Sequence, residues 1–143
     1  MRRRKARELA LRMLYQVETA GEAPELALVR YCEIFPYQKD IIDYARLLLS
    51  GVIREQEAID KYIETASEHW KLGRTTYIDR SILRLGVFEL LFSQDVPPKV
   101  AIDEAIEMAK KYGNEESRDF INGILDKIFK ESYKKVKAEK PRS

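Results

Sequence analysis

The chain has 143 residues, of which 45% are hydrophobic, so it is large enough to bury the core of one compact domain. Its single cysteine, Cys32, excludes an internal disulfide and favours a reducing compartment, which we expect to be the cytoplasm. No apolar run approaches the roughly 18 residues that a membrane-spanning helix needs, so we expect no contact with a membrane.

The formal net charge of +2 hides a segregated charge distribution. Residues 1–17 contain six basic residues and one acidic residue, and residues 127–143 contain seven basic and two acidic residues. Residues 18–126 contain 13 basic and 21 acidic residues, so an acidic middle separates two basic ends. This pattern suits a protein that binds a polyanion at one place and a basic partner at another.

Apolar residues recur at spacings of three and four along most of the chain, and we find no convincing alternating strand pattern. The sequence therefore predicts an all-α fold. Thr76 is the expected N-cap of the most apolar helix, and Gly51 is expected either to bend a long helical pattern or to permit close packing. The predicted helical segments are 3–19, 24–33, 37–66, 78–92, 100–113 and a last one from about 114 onward.

Local features outside these periodic patterns lead to three further predictions. Residues 70–75, which include Gly73, are expected to form a connection. Gly86 and Gly123 lie inside predicted helices, where glycine costs about 1 kcal/mol relative to alanine, so we expect close helix crossing at both. Beyond Tyr133 we expect the lysine-rich tail to be frayed.

The N-terminal arm is the most informative feature of the sequence, because five of the six residues from 2 to 7 are basic and a helical apolar stripe follows at once. We expect the stripe to pack and the arginines to stay outside, where guanidinium groups bind phosphate through paired hydrogen bonds. Cations at a helix N-terminus oppose the helix dipole, so an external anion would relieve that conflict. The basic residues are Arg2, Arg3, Arg4, Lys5 and Arg7, and the stripe comprises Ala6, Leu9, Ala10, Met13, Leu14 and Val17.

A second basic region lies at the junction of the last two predicted helices. Cations, amides and aromatic rings together suit single-stranded RNA, whose bases stack on rings while its phosphates meet Arg and Lys. The alternative is that Tyr112 and Phe120 are core residues, and for Phe120 this alternative has at least equal weight. The region comprises Lys110, Lys111, Tyr112, Asn114, Ser117, Arg118 and Phe120.

Residues that could support catalysis or bind a metal are few. His69 and Cys32 are single residues of their types, so no nucleophile system is available unless His69 serves alone, and no zinc-ligand spacing is present. The carboxylates of Asp103, Glu104 and Glu107 are interpreted as a solvated helix surface. We therefore expect no enzyme activity, no cofactor and no metal.

Four ordered strings carry more information than the periodicity does. They are RKARELAL at 4–11 with LYQ at 14–16, DRSILRLGVFELLF at 79–92, DVPPKVAIDEAIEMAKKYG at 95–113 and SRDFINGILDKI at 117–128. With these strings, the sequence resembles the NusB family of bacterial transcription antitermination factors over nearly its whole length. Residues 19–75 are the least distinctive part of the match.

The resemblance implies two packed three-helix bundles, here at about 1–72 and 73–135, with a basic tail at 136–143. It also implies binding of the boxA element of nascent RNA, as a single strand, together with the small-subunit ribosomal protein NusE. The two proteins would join the RNA polymerase elongation complex with other Nus factors and suppress premature termination, notably in ribosomal RNA operons. Self-association into a homodimer is left open.

The arm, the second basic region and the resemblance together assign residues to two surfaces. Tyr15 and Asp79 are implied to contact NusE. Glu116 is expected to tune RNA affinity rather than to provide it, because its carboxylate repels phosphate. The expected RNA-binding residues are Arg2, Arg3, Arg4, Lys5, Arg7, Lys111, Glu116, Arg118 and Phe120.

Two other functions are compatible with parts of this pattern. A similar helical module forms the N-terminal part of some ribosomal RNA cytosine methyltransferases, but no sequence follows Ser143 that could form a cofactor-binding domain, so we expect no catalysis. The second alternative is a protein-interaction scaffold in which the arm is merely solvated. A measurement of RNA affinity separates this scaffold from an RNA-binding protein.

Overall fold

A computed structural model describes residues 2–67 and 75–139. These residues form seven α-helices and contain no strand, so the predicted all-α fold is confirmed. His69 and the predicted connection at 70–75, apart from Thr75, lie outside the described residues. The helices are α1 (Arg2–Ala20), α2 (Pro24–Ile34), α3 (Lys39–Arg54), α4 (Gln56–Ala66), α5 (Tyr77–Val87), α6 (Pro98–Tyr112) and α7 (Ser117–Glu139), and a π-helical turn (Phe88–Phe92) extends α5.

Local chemistry explains where several helices begin and end. The Thr76 hydroxyl accepts a hydrogen bond from the Asp79 backbone N–H at 3.1 Å, which confirms the predicted N-cap of α5. Pro24 and Pro98 each open a helix, where the missing N–H of proline costs nothing. Gly21 follows α1 with a φ of +70°, a left-handed conformation that glycine adopts without strain.

The long pattern at 37–66 forms two helices, α3 and α4, which are separated at Glu55. Gly51 does not mark this break, since it lies inside α3. A Cβ at residue 51 would overlap the ring of Phe88, so glycine is needed for the ring to pack on the α3 backbone. Of the two roles predicted for Gly51, the structure therefore shows close packing.

The core joins α1 and α5 to the helices around them. α1 packs against α2, α3 and α5, and α5 packs against α4, α6 and α7. The apolar stripe of α1 is buried as predicted, apart from the half-buried Val17. The division into bundles at about 1–72 and 73–135 stays a prediction. No helix among the described residues is both long and apolar enough to cross a bilayer.

Two predictions about glycines and the tail need correction. A Cβ at Gly86 would lie 2.9 Å from Leu125 Cδ1, which confirms close helix crossing there, but a Cβ at Gly123 would meet nothing within 4 Å. The prediction for Gly123 is wrong because this residue faces outward on α7. Fraying beyond Tyr133 is also wrong as far as Glu139: α7 continues to that residue because Val136 is buried and the ammonium group of Lys137 donates to the Ser93 carbonyl at 2.5 Å. Residues 140–143 of the predicted tail lie outside the described residues.

Candidate nucleic-acid interface

The first three arginines of the arm are exposed on the first turn of α1. Their side chains are 61%, 44% and 49% exposed for Arg2, Arg3 and Arg4. The side chain of Arg7 is only 5% exposed, so the expectation that all the arginines stay outside is wrong for this residue. Arg7 lies one turn before Ala10 and Leu11 on the buried face of α1, and helical geometry directs it inward.

Carboxylates from distant parts of the chain pair with the exposed arginines. The guanidinium group of Arg2 pairs with Asp40 at the start of α3, with one nitrogen-to-oxygen distance of 3.0 Å. Arg3 donates to Asp95 in the connection before α6 at 2.8 Å. These hydrogen bonds hold the pKa values of both carboxyl groups below their ordinary range. The carboxylates of the chain itself thus offset the unfavourable interaction between the arginine charges and the helix dipole at the N-terminus of α1.

Arg4 makes a two-pronged contact with Glu104 on α6. Its Nε and Nη2 donate to the two carboxylate oxygens at 3.0 and 2.7 Å. This hydrogen-bonded pair lowers the pKa of Glu104, which is 14% exposed at its side chain. One of the two edges through which the guanidinium group could make paired hydrogen bonds with a phosphate, the Nε–Nη2 edge, is therefore occupied in the free protein.

Arg7 is the centre of a buried polar network. Its Nε donates to Glu89 Oε1 at 2.7 Å, and the Tyr44 hydroxyl donates to the other oxygen of Glu89 at 2.5 Å. Glu104 also accepts a longer hydrogen bond from Arg7, at 3.3 Å. Burial, followed by the negative charge of Glu89, raises the pKa of Tyr44, so its hydroxyl stays protonated. The π-helical turn places Glu89 in this network.

The second basic region lies directly beside the arm. Lys111 on α6 donates to Glu8 on α1 at 2.9 Å. A groove of about 300 Å³ separates the two basic segments and is lined by Arg4, Arg7, Glu8, Glu104, Glu107, Met108, Lys110 and Lys111. Segments that are about a hundred residues apart in sequence thus form one surface of mixed charge, and this surface carries exposed arginine and lysine nitrogens.

Residues at the start of α7 differ in exposure. Glu116 and Arg118 are exposed, and Arg118 lies 3.4 Å from Asp119. Phe120 is half-buried and packs against the core, so the core interpretation is correct for part of its ring. Tyr112 is 38% exposed, so it is not a core residue. These positions extend the basic surface beyond the end of α6.

The two residues expected to contact a partner protein have different environments. Tyr15 is exposed and meets the exposed Tyr77 ring edge-to-face, with 6.1 Å between ring centroids. The guanidinium group of Arg80 lies 4.8 Å from the Tyr77 centroid. Asp79 is buried and accepts hydrogen bonds from the Ser117 hydroxyl at 2.7 and 2.9 Å, which join α5 to α7.

Sequence reasoning missed Tyr77, Arg80 and the carboxylates that pair with the arm. The carboxylate partners lie 38 to 100 positions away from their arginines, and sequence periodicity does not reveal such pairs. Within residues 2–67 and 75–139, no cluster of His, Cys, Asp and Glu could hold a metal ion.

The fold and this surface define a small helical protein whose first helix presents basic groups beside a second basic region. The NusB family model matches residues 4–130, so the chain belongs to the NusB family. The family assignment agrees with the expectation that the chain is not an enzyme.

Relatives and solved structures support this assignment. The chain is 48% identical over 128 residues to a transcription antitermination protein NusB of Anaeromyxobacter dehalogenans, with 89% of each chain covered. It is similar to the structure of T. maritima NusB, with a TM-score of 0.85, 41% identity and 96% and 97% of the two chains covered. A structure of NusB and NusE in complex with dsRNA matches with a TM-score of 0.82, 33% identity and 90% and 96% coverage.

Proposed function

We propose that the protein is a cytoplasmic transcription antitermination factor that binds boxA RNA together with NusE. In this proposal the complex joins the elongating RNA polymerase and other Nus factors, notably on ribosomal RNA operons. Membership of the NusB family and the names of its relatives support the antitermination role. The solved complex of a related NusB with NusE and dsRNA supports the two binding partners.

The observation that carries the RNA-binding part is the joining of the arm to the second basic region. Arg4 and Lys111 reach one groove from α1 and α6. Phosphates bind through Arg and Lys, whereas exposed rings such as Tyr112 stack on unpaired bases. The proposal therefore assigns RNA phosphates to Arg2, Arg3, Arg4, Lys5 and Lys111, and nearby bases to the surface around Arg118 and Phe120, with Glu116 tuning affinity.

Arg7 has a different role in this proposal. Because its guanidinium group is buried between Glu89 and Glu104, it holds α1 in place instead of contacting phosphate through its full hydrogen-bonding edge. RNA binding then begins from arginines that are already paired with carboxylates. A phosphate must displace Glu104 to take the paired edge of Arg4, and the strength of this internal pair sets part of the RNA affinity.

NusE is proposed to bind the surface around Tyr15 and Tyr77. Exposed aromatic rings supply contact area at a small entropy cost and are enriched at protein interfaces. Glu18 beside them pairs with Arg80 at 3.1 Å and with Arg84 at 3.2 Å, which ties the Tyr15 end of α1 to α5. Asp79 supports this surface from below by fixing the first turn of α5 on Ser117.

The experiment is a fluorescence-anisotropy titration of boxA RNA and a scrambled RNA, with and without NusE, over a salt series. We expect modest binding by the protein alone, a preference for boxA that sharpens with NusE, and an affinity that falls steeply with salt. Equal and weak binding of both RNAs, even with NusE, would leave the protein-interaction scaffold as the function. Salt-insensitive binding would contradict the assignment of phosphates to the arm.

A further inference from the structure

A second basic and aromatic surface lies on the other side of α1, next to the connection between α2 and α3. A cavity of about 450 Å³ opens there and is lined by Arg2, Lys5, Pro36, Tyr37, Gln38 and Ile41. This cavity is continuous with the arm because Arg2 and Lys5 both line it. Arg2 also pairs with Asp40 at the start of α3. Arg12 lies two helical turns beyond Lys5 and extends the same face of α1.

Three aromatic rings line this face. The centroids of Tyr31 and Phe35 are 4.8 Å apart, and those of Tyr31 and Tyr37 are 6.4 Å apart. The guanidinium group of Arg12 lies 5.3 Å from the Tyr31 centroid. Phe35 is 52% exposed although it packs against Tyr31, so its ring is open to solvent beside the cations. We refer to Lys5, Arg12, Tyr31, Phe35 and Tyr37 as the aromatic face.

Lys5, the residue that the arm shares with this face, and Arg12 differ in their pairing from the four arginines of the arm. Arg2, Arg3, Arg4 and Arg7 each pair with a carboxylate. Lys5 and Arg12 are exposed, and neither forms an ion pair with a carboxylate among residues 2–67 and 75–139. A phosphate that binds Lys5 or Arg12 therefore displaces no carboxylate from the part of the chain that the structure describes, in contrast to one that binds Arg4.

We propose that the aromatic face is a second binding site for single-stranded RNA, which takes nucleotides beyond those bound at the arm. Arg12 binds a phosphate of these further nucleotides, Lys5 binds the phosphate at the junction with the arm, and a base stacks on the open ring of Phe35. The combination of a cationic track and exposed rings is the one that single strands require, because rings bind unstacked bases and cations bind the backbone. This inference rests on the proposed function in that RNA is the ligand.

The test uses the full chain with Phe35→Ala and Arg12→Gln, and single-stranded RNAs that range from about 4 to about 16 nucleotides, the span of known single-strand sites. We expect Phe35→Ala to weaken binding of the long RNA at least about fivefold, as loss of one stacked base does. Arg12→Gln should weaken it and make the salt slope shallower by about one unit. Binding of the shortest RNA at the arm should not change.

Matched controls separate these effects from general ones. Ile34→Ala removes the exposed apolar neighbour of Phe35, and Arg54→Gln removes an exposed cation at the opposite end of α3. Both controls should bind long RNA as the unchanged protein does. Phe35→Trp should preserve affinity, because it keeps a ring for stacking. With 5-iodouridine in the long RNA, photo-cross-links should map to residues 31–37.

The possible outcomes distinguish this inference from the proposed function. If the unchanged protein binds no RNA, both are overturned. If it binds RNA but Phe35→Ala and Arg12→Gln match it at every length, only the second site is overturned. Altered sedimentation of Phe35→Ala with unchanged RNA affinity would instead assign the face to an interface between two copies of the chain, and would also overturn the inference.

Discussion

Arg7 and Glu89 form a buried ion pair that joins the basic first helix to the π-helical turn, 82 positions away in the sequence, with 2.7 Å between Nε and Oε1. Neighbouring Arg4 makes a similar contact with Glu104, but its own side chain is 49% exposed. Two arginines of one arm thus have separate roles: Arg7 anchors the helix, and Arg4 faces the ligand.

Arg7→Ala should destabilise the protein by about 3–5 kcal/mol, because it leaves the charge of Glu89 buried without its partner. Arg4→Ala is the matched control and should cost less than about 1 kcal/mol, as exposed ion pairs do. Urea denaturation followed by circular dichroism measures both values. Equal stabilities of the two variants would contradict the anchoring role of Arg7.

Glu104→Gln should raise RNA affinity about fivefold, because an interaction of about 1 kcal/mol with Arg4 no longer competes with phosphate. Asp103→Asn removes the same charge from an exposed position on α6, and its effect should be smaller. Anisotropy titrations at one fixed salt concentration compare the two variants. A weaker affinity for Glu104→Gln would show that this carboxylate orients Arg4 for RNA instead of competing with it.

Acidification should weaken the attachment of the arm. The hydrogen bond from Arg4 lowers the pKa of Glu104, and that from Arg3 lowers the pKa of Asp95. A carboxyl group with a lowered pKa stabilises the fold at pH values above its pKa in the unfolded chain, which is about 4. This contribution is lost as the pH falls through its lower pKa in the folded protein. Urea denaturation between about pH 7 and pH 3 should show a smaller loss for Glu104→Gln than for Asp103→Asn.

Substitution of Tyr15 should change mainly the affinity for NusE, whereas substitution of Asp79 should change mainly the free energy of unfolding. Tyr15→Ala should weaken NusE binding, with a small change in the free energy of unfolding, because the ring is exposed. Asp79→Ala should cost about 1–3 kcal/mol, because the buried Ser117 hydroxyl loses its nearest acceptor and keeps only the longer contact with Asn114 Oδ1 at 3.2 Å. Calorimetric titration with NusE and urea denaturation give the two readouts. Unchanged NusE affinity in Tyr15→Ala would remove this ring from the proposed interface.

The two helical glycines should respond to alanine with opposite signs. Gly123→Ala should stabilise the protein by about 0.5–1 kcal/mol, because the added methyl group meets nothing within 4 Å and alanine favours the helix. Gly86→Ala should destabilise it, because its Cβ would lie 2.9 Å from Leu125 Cδ1. Thermal unfolding measures both effects. Destabilisation by Gly123→Ala would show a packing constraint on α7 that the structure lacks.

Local signals explain why much of the fold could be predicted. The apolar stripe of α1 and the Thr76 cap depend on residues within one or two turns, and the structure confirms both. The end of α3 was missed because Glu55 is neither glycine nor proline, so no residue marked the break. The length of α7 was missed because Lys137 finds its acceptor 44 positions away.

The basic residues of the candidate site could be predicted from the sequence, but the carboxylates that pair with them could not. The basic run identifies Arg2, Arg3 and Arg4 directly, whereas their pairing with acids on other elements depends on the tertiary fold. Burial of Arg7 had a local signal, because it shares a helical face with Leu14 two turns later. The composition of the run concealed that signal, since five neighbouring cations suggest one common role.

The exposed arginines of α1 are proposed to bind boxA RNA. The most direct measurement is the dissociation constant of boxA RNA in the presence of NusE, for the unchanged protein and for Arg3→Ala/Arg4→Ala, with Arg54→Ala as a control for the lost positive charge. We expect at least about tenfold weaker binding by the double variant and little change in the control. Equal affinity of the double variant and the unchanged protein would contradict RNA binding by these arginines.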